Sequence, residues 1–581
     1  MTKFIDKLID FAFSKDARKY LIGIFLIGIV LRFIVITNIS ALGDEMVHGP
    51  HAIGFLNSGL ISTIAHSPLW FYLTDIAMRF LGVTIFSTRF LSFFYGSLSI
   101  LLVFLISSHI FNKRVGLISA FLLSISYFTI RYSLIEMDVS ALFFILMAMY
   151  LFIISAENKK FPFFSALSLG TAALIKTLSL FFVPAFLIAF FLFDEKKDYK
   201  KSIKNIILFG ILIALLFSPI LIHNYLWYKD KGMVDIYFAQ YFNIGKAREA
   251  YAGQLGYASG FLEENFFKGI LTMSKTIFTL DPLIVSMAIF GIILSFSMKD
   301  KRKYWIFLIS FQLFGFFFLV LSNWLPTHYV TLMPVLSIFA AFFIDKFSLS
   351  FKGNEKNALF IILLAIFLIQ VYFLLPHLTS KCAICKMRNY AISSMDKSSL
   401  VIVDARIYRG RIAWLFNDFH YLESSFFPQF LQLNQNISGQ DMPVKTYFIE
   451  CVRDDCGWGT ITSGPLNDTS EQMVMAFSQQ SSLEKTILGG GGYDEETGKP
   501  YFRIYSTTLA FKPQILQLVD STHDWFYYPL HYKPKEKIFD NYSITGLLDN
   551  LIYLFAWSIL IISIILAFIF PIILIYNLFK K

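Results

Sequence analysis

Apolar runs of about 20 residues recur along this chain, and they constrain its fold more than any other feature, because a helix of about that length crosses the core of a bilayer. Such runs, or runs that approach this length, centre on residues 20–37, 88–110, 115–130, 139–156, 161–193, 203–222, 278–298, 304–322, 327–345, 357–376 and 548–575. Hydrophobic residues make up 56% of the chain. Only 15% of its residues are charged, against roughly 25% in soluble domains. The sequence therefore predicts a polytopic α-helical membrane protein.

The number of spans depends on one run in particular. Residues 161–193 are too many for a single span and include Lys176 and Pro184, so we expect two short helices with Lys176 near the outer turn. The total is then about twelve transmembrane helices. The first run follows a basic segment, as in a signal peptide, but it is long for one and no clean cleavage site follows it. We expect the first helix to be retained.

Lysine and arginine orient these helices. They concentrate in alternate connecting segments and near both termini, at residues 3–19, 113–114, 159–160, 196–204, 299–303, 346–356 and 580–581. Residues 38–78 contain neither residue type. Because basic loops stay on the cytoplasmic side, we expect both termini in the cytoplasm. The net charge of +10 is not gathered in one patch, and no nucleic-acid-binding motif is present, so no nucleic acid partner is expected.

The remaining long segments are expected on the extracytoplasmic side. Residues 38–87 and 223–277 would be outer loops of a transmembrane module that covers residues 1–376. Residues 377–547 would form a separate extracytoplasmic domain, and residues 548–581 hold the last helix. This multi-pass arrangement places every acid and cation discussed below at the outer face.

The predicted outer domain has an ordinary composition and is long enough to bury a core. Its strand-like runs at Leu400–Ile407, Lys445–Val452 and Tyr501–Phe511 predict an α/β or β-rich fold. It also contains every cysteine of the chain, namely Cys382, Cys385, Cys451 and Cys456. This placement favours disulfides, which persist outside the cytoplasm. A four-thiolate zinc site and free thiols are the alternatives.

Ionisable residues at a membrane boundary are costly, so each is a functional candidate. Asp44 and Glu45 follow the first predicted span with no basic residue nearby. They could simply begin an interfacial helix, whose positive end favours acids. Alternatively, the pair supplies a general base at the boundary between water and lipid.

Three histidines share the first outer loop with this acidic pair. His48, His51 and His66 could bind a divalent metal together with Glu45, although their spacing is a weak signal, and hydrogen bonding at a wet interface is the alternative. Nothing in the sequence requires a cofactor.

Further charged and aromatic side chains fall at predicted outer ends of spans. Asp138 could cap a helix, Lys176 could reach towards the interface, and Arg248 could be a solvated loop charge. Tyr329, which follows His328, could be an interfacial aromatic residue. Taken together, however, a carboxylate and several cations beside lipid suit an anionic, lipid-linked substrate.

The order of short motifs resembles that of the GT-C glycosyltransferases, and in particular the branch of protein O-mannosyltransferases and lipid A aminoarabinose transferases. These motifs are Asp44-Glu45, His66-x-Pro68-Leu69, a glycine and an arginine at Gly82 and Arg89, Arg131-x6-Asp138, and Lys176. The likeness covers roughly residues 15–345. Two departures are that Met46, Val47 and His48 follow the acidic pair, and that Ala65-His66-Ser67-Pro68 stands where some members have Glu-Lys-Pro-Pro.

The resemblance implies inverting transfer of a sugar from a polyprenyl- or dolichyl-phosphate donor to the hydroxyl of a glycan, lipid or protein acceptor, beside membrane lipids. It implies that Asp44 is the catalytic base with Glu45 as its catalytic neighbour, and that Lys176, Arg248 and Tyr329 hold the donor phosphate. Asp138 matches the family's second acidic motif, with Arg131, His66 and His328 as supporting residues.

Two other functions remain as alternatives. A transporter or flippase of a lipid-linked sugar would also gather charges near lipid, but transporter sites usually lie at mid-membrane between repeats. A non-catalytic binding protein would give no reason for the adjacent acids.

Overall fold

The computed structural model describes most of the membrane region and the larger part of the outer domain. The described residues are 17–39, 45–57, 60, 67–132, 137–194, 198–235, 238–239, 244, 266–321, 326–407, 412, 415–416, 418–452, 456, 472, 476–477, 479–490, 496–521 and 543–580.

The described residues are mostly helical. The α-helices are α1 (Ala17–Asn38), α2 (Glu45–Ala52), α3 (Leu69–Leu81), α4 (Ile85–Ile110), α5 (Lys113–Ile125), α6 (Tyr127–Arg131), α7 (Met137–Glu157), α8 (Phe163–Ile175), α9 (Val183–Leu192), α10 (Tyr199–Lys231), α11 (Phe266–Leu280), α12 (Pro282–Ser295), α13 (Arg302–Leu321), α14 (Met333–Leu349), α15 (Glu355–Thr379), α16 (Ala383–Ser394), α17 (Phe427–Asn436), α18 (Pro513–Ser521) and α19 (Gly546–Lys580). Short 3₁₀ helices cover Phe55–Asn57, Thr177–Phe182, Lys299–Lys301, Pro326–Thr331 and Ser424–Phe426.

The protein is an integral membrane protein with several apolar helices. Within the described residues, six helices are long and apolar enough to cross a bilayer, at Lys19–Asn38, Ile85–Ile110, Met137–Glu157, Tyr199–Lys231, Glu355–Ser394 and Gly546–Leu578. A seventh span results if the bent pair Ile270–Leu280 and Pro282–Ser295 counts as one. The expected count of about twelve is therefore not confirmed.

Three predicted runs are interrupted by polar residues, which explains part of this difference. Ser126 separates α5 from α6, and Lys176 ends α8 in an extended conformation with φ −144°. Asp281 caps α12 by accepting a hydrogen bond from the backbone N–H of Ile284, where the chain bends by 115°. Each break exposes backbone groups that side chains must satisfy, and it shortens the helices on either side.

The membrane helices pack closely at glycine positions. A Cβ added to Gly291 of α12 would lie 1.9 Å from the carbonyl oxygen of Phe339 in α14, so only glycine allows this approach. The last helix, α19, joins the bundle through the Tyr95 hydroxyl, which donates to the Ala567 carbonyl over 3.1 Å. An ion pair of 2.7 Å between Lys229 and Asp549 links it to α10.

Residues 377–547, the predicted outer domain, contain a five-stranded mixed sheet. Its strands are β1 (Leu400–Val403), β2 (His420–Glu423), β3 (Met442–Cys451), β4 (Ser482–Leu488) and β5 (Pro500–Phe511), in the order β2-β1-β3-β5-β4. β1 runs parallel to β2 and β3, whereas β5 is antiparallel to β3 and β4. With α16, α17 and α18 in the same part of the chain, the domain is α/β.

Two disulfides belong to this domain. The structure pairs Cys382 with Cys385 and Cys451 with Cys456, so of the three alternatives for the cysteines it has the disulfides. The Cys382 amide donates to the carbonyl of Asn38 at the end of α1 over 2.7 Å. The domain is thereby attached to the first membrane helix.

Candidate active site

The acidic pair after the first helix contributes a buried ion pair to the site. Glu45 begins α2 and is 1% exposed. Its two carboxylate oxygens accept hydrogen bonds from Nε and Nη2 of Arg89 over 2.8 and 2.7 Å. Such a two-point contact is strong and fixes the orientation of both groups. Both oxygens of Glu45, which the sequence predicts to be a catalytic residue and a candidate metal ligand, are thus engaged by Arg89 in this structure.

Arg89 also holds the end of α1. Its Nη1 atom donates to the carbonyls of Ile36 and Ile39, the second over 2.9 Å. The guanidinium therefore joins the last turn of α1 to the first residue of α2. Asp44, the predicted base, lies outside the described residues, but its chain neighbour Glu45 is fixed in this way.

Helix α2 is packed against α3 by aromatic contacts. The His48 ring lies 6.4 Å from that of Trp70 and 6.1 Å from that of Phe71, centroid to centroid. At the other end of α2, Asp75 of α3 accepts hydrogen bonds from the amides of Gly54 and Leu56 over 3.2 and 2.8 Å. The buried Asp75 therefore fixes the turn that follows α2.

Ser67, just before α3, reaches the break in the run 161–193. Its hydroxyl donates to the carbonyl of Ala173 over 3.0 Å and lies 2.7 Å from the hydroxyl of Thr177. These two residues flank Lys176, which explains how the first outer segment is held beside that lysine.

Lys176 belongs to a buried cluster of three ionisable side chains. Oδ2 of Asp138 lies 3.1 Å from Nζ of Lys176 and 3.0 Å from Nδ1 of His328. All three side chains are less than a tenth exposed. A carboxylate buried at the start of α7 needs such partners, so Asp138 both depends on Lys176 and His328 and positions them.

The cluster faces a small cavity at the same end of the bundle. Asp138, Lys176, Ser179 and Thr331 contribute its polar lining, and Phe182 part of its apolar lining. The ammonium group of Lys176 lines this cavity, where it can donate to an anionic group and stabilise charge that develops on it.

The other predicted residues have separate surroundings or are not described. Tyr329 is fully buried next to His328. Arg131 ends α6, and its guanidinium lies 5.5 and 5.8 Å from the rings of Tyr127 and Tyr132. The backbone of His51 lies in α2. Arg248 and His66 lie outside the described residues. Among the described residues, no three His, Cys, Asp or Glu side chains are placed to hold a metal ion.

Three residues that fix this site carry no role in the sequence-based prediction. Arg89 and Ser67 occur there only as parts of motifs, while Asp75 is not singled out. An arginine within an apolar run is costly without a partner, so the sequence predicts that the buried Arg89 has an acidic partner but not which acid it is.

Comparison with known proteins agrees with the sequence motifs. Residues 65–223 match a family model described as dolichyl-phosphate-mannose-protein mannosyltransferase. No curated protein sequence matches the chain. ArnT from Cupriavidus metallidurans in the apo state shares the fold, with a TM-score of 0.51, 10% identity, and coverage of 85% of this chain and 98% of that one.

Two further solved structures are more distant. ArnT from Cupriavidus metallidurans bound to undecaprenyl phosphate gives a TM-score of 0.47 at 9% identity, covering 84% of this chain and 98% of that chain. The oligosaccharyltransferase of Archaeoglobus fulgidus in the apo form gives 0.47 at 14% identity, covering 76% and 70%. The resemblance to GT-C glycosyltransferases that the motifs indicated is confirmed by the family-model match and the shared fold.

Proposed function

We propose that this protein is a membrane glycosyltransferase that moves a sugar from a polyprenyl- or dolichyl-phosphate donor to an acceptor hydroxyl, with inversion, at the extracytoplasmic face. The observation that carries the proposal is the buried cluster of Asp138, Lys176 and His328 beside a cavity. The family-model match over residues 65–223 supports the donor class, and the shared fold supports the architecture.

Lys176 is the proposed ligand of the donor phosphate. A sugar phosphodiester carries one negative charge, and expulsion of the lipid phosphate creates a second. An ammonium group held in a dry site favours this developing charge over the ground state, by about 2.7–4 kcal/mol for one contact. Asp138 is a positioning residue, since it fixes Nζ of Lys176 at 3.1 Å. Arg248 and Tyr329 are proposed to complete the phosphate site.

The proposed base is Asp44, which would take the acceptor's proton as the anomeric carbon is attacked. A general base of this kind contributes about 10²–10⁴-fold. Glu45 is proposed to act through position, because its contact with Arg89 holds the residue that follows Asp44 in the sequence. No nucleotide is needed, since the lipid phosphate bond already activates the sugar.

Contacts between side chains connect the two halves of the proposed site. His48 of α2 lies against Trp70 and Phe71 of α3, and Ser67 reaches the residues on both sides of Lys176. Helix α2, which follows the predicted base, and the cluster of Asp138, Lys176 and His328 therefore belong to one packed unit. A base and a phosphate site that act on one sugar must be held together in this way.

The outer domain is proposed to bind the acceptor. It is attached to the end of α1 through the Cys382 amide, close to the Glu45–Arg89 pair, where an acceptor would enter. Its deletion should stop transfer to the acceptor while donor hydrolysis persists.

The decisive experiment is incubation of the purified full-length protein, in detergent, with a panel of polyprenyl-phosphate sugars and candidate acceptors, followed by mass spectrometry. A new glycosidic product that is lost in Lys176→Gln supports the proposal. Lys229→Gln is the matched control, because Lys229 also pairs with an aspartate but lies outside the cluster. Vesicle transport of the intact donor without any covalent product would instead identify a transporter.

A further inference from the structure

A second pocket lies where α7 ends and α10 begins. Asp138 of the buried cluster lies at the other end of α7. The lining of the pocket includes the last residue of α7, Glu157, and the two lysines that follow this helix, Lys159 and Lys160. Asp194 after α9, Lys201 of α10 and Lys303 of α13 also line it. The positive-inside rule predicts the pocket end of α7 to be cytoplasmic. The proposed glycosyltransferase chemistry makes no use of the pocket.

The pocket is basic, and its carboxylates are already engaged. Oε2 of Glu157 lies 2.7 Å from Nε2 of His109, and its other oxygen accepts from the Tyr304 hydroxyl. Asp194 accepts from the Ser202 hydroxyl over 2.8 Å. Four lysines line the same space. The pocket therefore suits an anion with several acceptor oxygens.

Lys159 occupies a position that normally favours glycine. Its φ of 57° makes it the only non-glycine residue with positive φ among those the structure describes. The amide of Lys159 donates to the carbonyl of Ala156, and that of Lys160 donates to Ser155, as in the glycine-ended helix cap. A side chain kept in a left-handed conformation carries a conformational cost, and such positions are concentrated at functional sites.

The pocket adjoins exposed apolar side chains, which follow the lining residues Phe190 and Ser202 in the sequence. Phe152, Phe190 and Phe193 contribute apolar lining. Beside it, Phe191 is 45% exposed and Ile203 is 50% exposed, as expected of side chains in contact with acyl chains. A ligand that occupies this pocket therefore meets lysine ammonium groups on one side and hydrocarbon on the other.

We propose that this pocket binds the phosphate headgroup of an anionic phospholipid, with Lys159, Lys160 and Lys201 as its main cationic contacts and the exposed Phe191 and Ile203 against its acyl chains. Basic pockets between helices at the cytoplasmic side recognise such headgroups by this combination. The inference does not depend on the proposed enzymatic function.

The test is native mass spectrometry of the full-length protein in detergent, titrated with phosphatidylglycerol, phosphatidylcholine or glycerol 3-phosphate. We expect phosphatidylglycerol to bind more tightly than the other two. The double variant Lys160→Gln/Lys201→Gln should weaken its binding about 25-fold, because each lysine near a headgroup is worth about fivefold in affinity. The control Lys299→Gln/Lys352→Gln, at exposed positions outside the pocket, should leave binding unchanged.

The variant Lys159→Gly distinguishes a loss of lipid binding from a loss of protein stability. Glycine adopts positive φ without cost, so the melting temperature should stay the same or rise, while phosphatidylglycerol affinity falls about fivefold. The proposal is overturned if the affinity of Lys159→Gly is unchanged, or if the control double variant loses as much affinity as the pocket variant. Equal binding of glycerol 3-phosphate and phosphatidylglycerol would also overturn it, since the ligand would then be a soluble phosphate.

Discussion

Arg89 holds Glu45 through two hydrogen bonds of 2.8 and 2.7 Å, across 44 residues of sequence, and both side chains are buried. The same guanidinium donates a hydrogen bond to the carbonyl of Ile39. The short connection between α1 and α2 is therefore closed at both ends by one side chain, and the predicted base lies within that connection.

Removal of Arg89 should damage the fold more than removal of Glu45. Arg89→Ala leaves a buried carboxylate without its main partner, which typically costs about 3–5 kcal/mol, whereas Glu45→Gln keeps a hydrogen-bonding group in place. Thermal unfolding in detergent measures the difference. Arg89→Lys is the informative control, because it keeps the charge but not the two-point geometry. A wild-type melting temperature for Arg89→Ala would show that the ion pair contributes no stability.

Lys176→Gln should lower kcat/KM for the lipid-linked donor by about 10²–10³-fold, since one cationic contact to the developing phosphate charge is lost. Initial rates over a donor concentration series provide the measurement. Asp138→Asn should reduce the rate less, because it only releases the lysine from its 3.1 Å contact. If Lys176→Gln and Lys229→Gln behave alike, Lys176 does not bind the donor.

Asp44→Asn should reduce sugar transfer by at least about 10²-fold while the protein stays folded and inserted, because asparagine cannot accept the acceptor's proton. The same preparation should be checked for its melting temperature and for donor binding. Turnover at the wild-type rate would remove Asp44 from the mechanism.

Gly291→Ala should destabilise the bundle by about 1–3 kcal/mol, the usual cost of overpacking. The added Cβ would meet the Phe339 carbonyl at 1.9 Å, and backbone atoms cannot move aside cheaply. Gly210→Ala is a suitable control, because nothing lies within 4 Å of the position of its Cβ. Equal melting temperatures for the two variants would contradict the packing of α12 against α14.

Glu484 of the outer domain should make stability depend on pH. Burial raises the pKa of its carboxyl group, but hydrogen bonds from Ser506 and Lys445 outweigh that effect and hold the pKa below its ordinary 4.5. A lowered pKa in the folded state stabilises the protein above pH 4.5, and this contribution is lost as the pH falls through the lower value.

Thermal unfolding of the wild type and of Glu484→Gln checks this dependence. The variant should be less stable near neutral pH, and the two proteins should converge as the solution is acidified below pH 4.5. Glu496→Gln, at an exposed ion pair with Lys499, is the control. A difference in stability between the two proteins that widens on acidification would show that the pKa of Glu484 is not lowered in the folded state.

The helical membrane architecture could be predicted from the sequence because apolar run length is a local property. Each predicted run coincides with helical structure. The number of spans could not be predicted in the same way. The length of the run 161–193 predicts its break at Lys176. Ser126 and Asp281, however, interrupt runs of ordinary length, and hydropathy alone does not show where a buried polar residue is satisfied by tertiary contacts.

Contacts between residues that are distant in the sequence could not be predicted either. Asp138, Lys176 and His328 were each singled out, but their spacing of 38 and 190 positions in the sequence carries no sign that they meet. The partner of Glu45 was missed for the same reason. Periodicity assigns a residue to a helix face, whereas the packing of helices decides which faces come together.

The attachment between the outer domain and α1 has a mechanical consequence. The Asn38 carbonyl accepts from the Cys382 amide, and the next carbonyl, that of Ile39, accepts from Arg89. If a bound acceptor displaced the sheet domain, the force would act on the Asn38 carbonyl, one peptide bond away from the carbonyl that Arg89 contacts. These two carbonyls connect the sheet domain to Arg89 and Glu45 directly, so acceptor binding would act on that ion pair without movement of a helix across the bilayer.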